Sequence, residues 1–155
     1  MDVEGDIHVP APPEVVWERL IDPAVLQRCI PGCTRMTRLA EHRFEAEIEV
    51  RYGPVHASFL TDITLSDVVA PAHYVLSGRG HGGLAGVGEG RAEVSLDPAP
   101  AGTVVRYRAA LSAAGALGRI GSRLLGGTTR RLIDRFFAAF LASFDEDPVS
   151  AADRA

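Results

Sequence analysis

At 155 residues the chain has the length of one domain, and 46% hydrophobic against 23% charged residues supplies a sizeable core and excludes a disordered polypeptide. A formal net charge of −4 gives nucleic-acid binding no electrostatic footing. No run of about 18 apolar residues occurs, and the acidic start Met1-Asp2-Val3-Glu4 lacks an apolar signal segment, so the expected location is cytoplasmic.

In chain order, Val3 to Val9 reads as a strand, ended by Pro10-Ala11-Pro12-Pro13. Glu14 to Ile21 then predicts a short helix with Val16, Trp17 and Leu20 on one face. Asp22-Pro23 is a helix start, with a capping carboxylate and proline at the first helical position, and opens a second short helix to Arg28. Pro31-Gly32 turns the chain, and Thr34 to Leu39 is the next strand candidate. From Arg43 to Tyr52 the alternation is clean: Phe44, Ala46, Ile48, Val50 and Tyr52 face one way and Arg43, Glu45, Glu47, Glu49 and Arg51 the other. Gly53-Pro54 makes a hairpin turn into Val55–Leu65, with Phe59, Thr61, Ile63 and Leu65 inward. Ala72–Gly80, Gly86–Leu96 and Thr103–Leu111 complete the strands, with Pro98 to Gly102 as a turn. Leu117 to Phe144 carries an apolar stripe at helical spacing, including Leu117, Ile120, Leu124, Phe136, Phe137, Phe140 and Phe144. Gly126-Gly127 predicts a bend there, Arg119, Arg123, Arg130 and Asp134 fall opposite the stripe, and the acidic tail 145–155 is expected to be disordered. A one-sided antiparallel sheet must cover its apolar face, and the last helix is the one large partner, so residues 1–144 are expected to form an α+β domain with a curved seven-stranded sheet gripping that helix.

The inward positions are unusually small: Ala46, Ala57, Gly78, Gly88, Gly90, Ala92 and Ala109. Interiors are close-packed, so either the helix approaches closely at these positions or the space takes a ligand. An internal apolar cavity walled by Phe44, Phe59, Tyr74, Tyr107 and the helix phenylalanines fits the usual make-up of small-molecule sites. The glycine-rich stretch Gly78 to Gly86 is too long for a tight hairpin and is expected to form a flap over the cavity mouth. It is not a dinucleotide loop, because Gly86-Val87-Gly88-Glu89-Gly90 runs into a strand and not a helix. Cys29 and Cys33 alone do not complete a metal site, and the five histidines are scattered, so no metal is expected. The inward polar groups are Thr61, Tyr52, Tyr74 and Tyr107, with no acid–base pair among them, so no catalytic residue is assigned.

The chain resembles the carbon monoxide dehydrogenase G-subunit family, a branch of the START/Bet v1-like helix-grip superfamily. The matching pieces are Val16-Trp17, Asp22-Pro23, Cys29-Ile30-Pro31-Gly32-Cys33, Gly86-Val87-Gly88-Glu89-Gly90, Gly102-Thr103 with Tyr107, Gly115 to Gly121, and Phe136-Phe137. The resemblance spans about residues 3 to 144, and Cys-Ile-Pro-Gly-Cys is its most specific part. It implies a non-enzymatic accessory role to a molybdenum-containing carbon monoxide dehydrogenase, a bound quinone such as menaquinone, and peripheral contact with the inner face of the cell membrane. The ligand-contacting residues expected on this reading are Trp17, Phe44, Ile48, Phe59, Ile63, Tyr74, Leu76, Gly88, Gly90, Ala92, Tyr107, Leu117, Ile120, Leu124, Phe136, Phe137 and Phe140. Two other readings stand beside it: a helix-grip cyclase or hydrolase acting on a hydrophobic substrate, and an interaction module whose small residues merely let the helix pack closely.

Overall fold

The computed structural model describes residues 2–52, 55–114 and 122–146. The elements run β1 (Asp2–Val9), α1 (Pro13–Leu20), α2 (Pro23–Cys29), β2 (Cys33–Ala40), β3 (Arg43–Tyr52), β4 (Val55–Val69), β5 (His73–His81), β6 (Val87–Ala99), β7 (Gly102–Ala114) and α3 (Ser122–Glu146). The seven strands form one curved antiparallel sheet in the order β1-β7-β6-β5-β4-β3-β2. Strands β2 to β7 are therefore a meander, and β1 closes the far edge on β7.

Local chemistry sets the boundaries. Asp22 caps α2, its Oδ1 accepting the Ala24 N–H at 2.9 Å, and Pro23 follows at the first helical position. α1 has no side-chain cap; Pro13 begins it with the fixed φ that the position wants. The alternation in β3 becomes register: Phe44 pairs with Ile63, Ala46 with Thr61, and Ile48 with Phe59. Val105, Tyr107 and Ala109 of β7 lie opposite Leu96, Val94 and Ala92 of β6 on the same face.

Four expectations are corrected. β4 continues past Leu65 to Val69, through an irregularity between Ser66 and Val69 where Asp67 has φ 49°. Gly78 and Gly80 are ladder residues of β5 paired with Gly90 and Gly88, so the connection to β6 is only residues 82–86. That connection is a single 3-10 turn, closed by the Gly82 N–H donating to the Gly86 carbonyl at 2.9 Å, and no long flap exists there. The Pro98–Gly102 turn shrinks to Pro100-Ala101, because Pro98 pairs with Thr103 and Ala99 with Gly102. Finally, α3 runs through Gly126 and Gly127 to Glu146, so Asp145 belongs to the helix. Residues 117–121 and 147–155 lie outside the described residues.

The core sits between sheet and α3. Phe44, Phe140, Phe144, Val9, Val16 and Val105 are fully buried. Along α3 the aromatic rings step from Phe136 to Phe137, Phe140 and Phe144 with mostly edge-to-face contacts of 5.2–6.4 Å. Trp17 of α1 meets Tyr74 of β5 edge-on at 5.3 Å, tying the first helix to the middle of the sheet.

Candidate ligand pocket

Between α2, α3 and the concave face of the sheet lies a pocket of about 600 Å3. Its size falls within the usual range for small-molecule sites. The sheet supplies Ile48, Val50, Tyr74, Leu76, Ala92, Val94, Tyr107 and Ala109; α3 supplies Leu132, Ile133, Phe136 and Phe137; Leu20, Leu26, Ile30 and Pro31 come from the α1–α2 region. The buried part of this lining is Leu20, Leu26, Tyr74, Val94, Tyr107 and Phe137. Gly32, Glu49, Arg51, Leu132 and Arg135 are the exposed lining residues and mark the rim. The site is thus an apolar interior with a charged mouth.

The Cys29–Cys33 segment builds one wall. Cys29 is buried in the core, while Ile30, Pro31 and Gly32 line the pocket. Gly32 has φ 80°, and its carbonyl accepts the Glu49 N–H at 2.8 Å; a Cβ there would overlap the Glu49 carbonyl. Only glycine fits this crossing of the turn over β3. Burial raises the Cys29 thiol above its ordinary range despite the nearby Arg28 and Arg19 charges, and burial raises Cys33 as well. Neither is an activated thiolate. Among the described residues no group of three or more His, Cys, Asp or Glu is placed to hold a metal ion.

The small residues fall into two kinds. At Gly82 a Cβ would come within 2.5–2.7 Å of the Phe59 ring, and at Gly80 within 2.7 Å of Thr61 Oγ1. There the missing side chain is already replaced by protein. At Gly88 nothing among the described residues lies within 4 Å of such a Cβ, and at Gly90 the neighbours are at ordinary contact distance. Ala92 and Ala109 front the pocket directly.

Seven of the residues expected from sequence line this pocket: Ile48, Tyr74, Leu76, Ala92, Tyr107, Phe136 and Phe137. Trp17, Phe44, Phe59, Ile63 and Phe140 are buried core residues outside its lining, and Gly88 and Gly90 lie further along β6. Leu117 and Ile120 lie outside the described residues, as does the side chain of Leu124. Ala109, expected among the small inward positions, lines the pocket too, whereas sequence reasoning missed Leu20, Leu26, Ile30, Val50, Val94, Leu132 and Ile133 in the lining. Arg130 also departs from expectation: it turns toward the sheet, donating from Nη1 to Tyr107 Oη and from Nη2 to the Glu4 carbonyl, each at 2.7 Å. Tyr107 in turn stacks on Phe137 at 5.3 Å.

The family model for the G-subunit of carbon monoxide dehydrogenase (CoxG) matches residues 5–143. The chain belongs to this family. No curated protein matches the sequence. Among solved structures, a conserved protein from Geobacillus kaustophilus is similar at TM-score 0.85 and 28% identity, over 94% of this chain and 96% of that one. A START superfamily protein from Mycobacterium smegmatis is similar at TM-score 0.71 and 11% identity, over 94% and 97% of the two chains. Ara h 8.0201 follows at TM-score 0.65 and 9% identity, over 95% and 99%. This CoxG-family protein thus has the helix-grip fold of the START and Bet v1 proteins. No helix among its described residues is long and apolar enough to cross a membrane.

Proposed function

We propose that this CoxG-family protein binds a lipophilic molecule, a quinone of the menaquinone type, in the pocket beneath α3, and couples a molybdenum-containing carbon monoxide dehydrogenase to the membrane quinone pool. The observation that carries the reading is the pocket itself: about 600 Å3 with an aliphatic and aromatic interior. A quinone head is flat and uncharged and its tail is hydrocarbon, so burial of apolar area at about 25 cal/mol per Å2 supplies the affinity without a buried charge. Phe136, Phe137 and Tyr107 offer ring faces and edges to the head. The single carboxylate in the described lining is the exposed Glu49, so the site holds no buried acid–base pair of the kind that proton-transfer catalysis uses. The protein in this reading carries its ligand and leaves the chemistry to its partner.

The test combines the purified domain, quinone-loaded vesicles and the reduced dehydrogenase. Electron flow to quinone is expected to rise with added domain, and quinone is expected in organic extracts of the protein purified from its host. Equal flow with and without the domain, together with extracts free of quinone, overturns the proposal.

A further inference from the structure

We propose that the Tyr74 hydroxyl is the hydrogen-bond donor that orients the ligand, receiving a carbonyl oxygen of its head at the inner end of the pocket. This rests on the pocket reading above and adds to it a direction: acceptor-bearing end inward, hydrocarbon toward the rim.

Tyr74 is 4% exposed and belongs to the pocket lining. Its ring is held from the side by Trp17, edge-on at 5.3 Å, and it lies opposite Val94, which lines the same pocket. Tyr107, the other described tyrosine of the lining, has its hydroxyl occupied by Arg130 at 2.7 Å. For the Tyr74 hydroxyl no hydrogen-bond partner stands among the described residues. Yet no described side-chain oxygen is both sealed from space and unpartnered. The Tyr74 hydroxyl therefore faces space, and the space beside it is the pocket. A hydroxyl that faces the pocket and has no protein partner among the described residues is open to a ligand acceptor, which takes the place of water there. Burial also pushes its ionisation well above the ordinary tyrosine range, so the group stays protonated and remains a donor at neutral pH. A phenol O–H that stays protonated at neutral pH, with no partner among the described residues of an apolar wall, selects a neutral acceptor, such as a ketone or quinone carbonyl, over a plain hydrocarbon.

The experiment is calorimetric titration of wild type and Tyr74→Phe with two probes of the same shape: 2-methyl-1,4-naphthoquinone, which has carbonyls, and 2-methylnaphthalene, which has none. Wild type is expected to prefer the quinone. Tyr74→Phe is expected to lose roughly 3- to 10-fold in quinone affinity, the effect of one hydrogen bond, and to keep its affinity for the hydrocarbon. The melting temperature of the ligand-free variant is expected to hold, since the hydroxyl has no partner among the described residues to lose. Unchanged quinone affinity in the variant overturns the donor role while leaving the pocket reading intact. A parallel loss for both probes, or a clear drop in melting temperature, assigns the hydroxyl a structural role and also overturns it. Failure of wild type to bind either probe removes the pocket reading and the orientation with it.

Discussion

Ala92 and Gly82 are both small residues near the β5–β6 hairpin, and they are small for opposite reasons. Ala92 fronts the pocket, so three added carbons at that position extend into space. Gly82 lies against the Phe59 ring, where even one carbon would come within 2.5 Å. We therefore expect Ala92→Leu to abolish binding of a naphthoquinone while shifting ligand-free stability by less than about 1 kcal/mol, and Gly82→Ala to cost about 1–3 kcal/mol through overpacking. Denaturant melts of both variants with a binding titration check this. A destabilised Ala92→Leu would show that the space is already filled. Nothing in the sequence distinguishes the two positions: both belong to a glycine- and alanine-rich stretch, and only the partner across the sheet, Phe59 or empty volume, separates them. Tyr74 is legible as an inward polar residue from strand parity, but that its hydroxyl has no partner among the described residues is a fact of three dimensions.

At the scale of elements, what the sequence displays is periodicity. β3 and β7 alternate without interruption, and their inward sets become the sheet's concave face in the expected parity. Where periodicity is silent, expectation and structure part. The end of β4 past Leu65 depends on Asp67 taking φ 49°, which alternation does not encode. The pocket wall made by Leu20, Leu26 and Ile30 depends on how α2 meets α3, a tertiary contact with no local signature beyond the Pro31-Gly32 turn. Arg130 is the sharpest case: it stands seven residues, two turns, before Phe137, so helical spacing places it beside the apolar stripe and not opposite it, where its charge alone would put it. From there its long stem carries the guanidinium to Tyr107 and the Glu4 carbonyl. Those two charge-assisted bonds tie α3 to β7 and β1 beside the pocket. Truncation by Arg130→Ala is expected to cost about 1–3 kcal/mol and to release Tyr107, speeding ligand dissociation. Stopped-flow release of a bound naphthoquinone measures the second effect. An unchanged release rate would mean that the latch steadies the fold without holding the pocket wall.

The whole molecule places a limit on a ligand of the proposed kind. With roughly 30 Å3 per water-sized group, a pocket of about 600 Å3 holds about twenty non-hydrogen atoms. That accommodates a naphthoquinone head and one or two prenyl units, and leaves the rest of a long isoprenoid tail outside. The rim where such a tail emerges is formed by Gly32, Glu49, Arg51, Leu132 and Arg135. In the proposed reading its charged side chains, Glu49, Arg51 and Arg135, give the hydrocarbon little to bury against among the described residues, which would leave the outer tail to a bilayer or a partner protein. The consequence is measurable in a series of menaquinone analogues with zero, one, two and four prenyl units. Each buried CH2-sized group contributes ~0.8 kcal/mol, so burying even half of a five-carbon unit gains ~2 kcal/mol, roughly thirtyfold in affinity. Affinity is expected to climb over the first one or two units and then to flatten between two and four. A continued climb to four units would mean that the tail finds further apolar surface on the protein. A flat response from the start would place the tail outside the pocket altogether, with the head alone held against Tyr74 and the α3 phenylalanines.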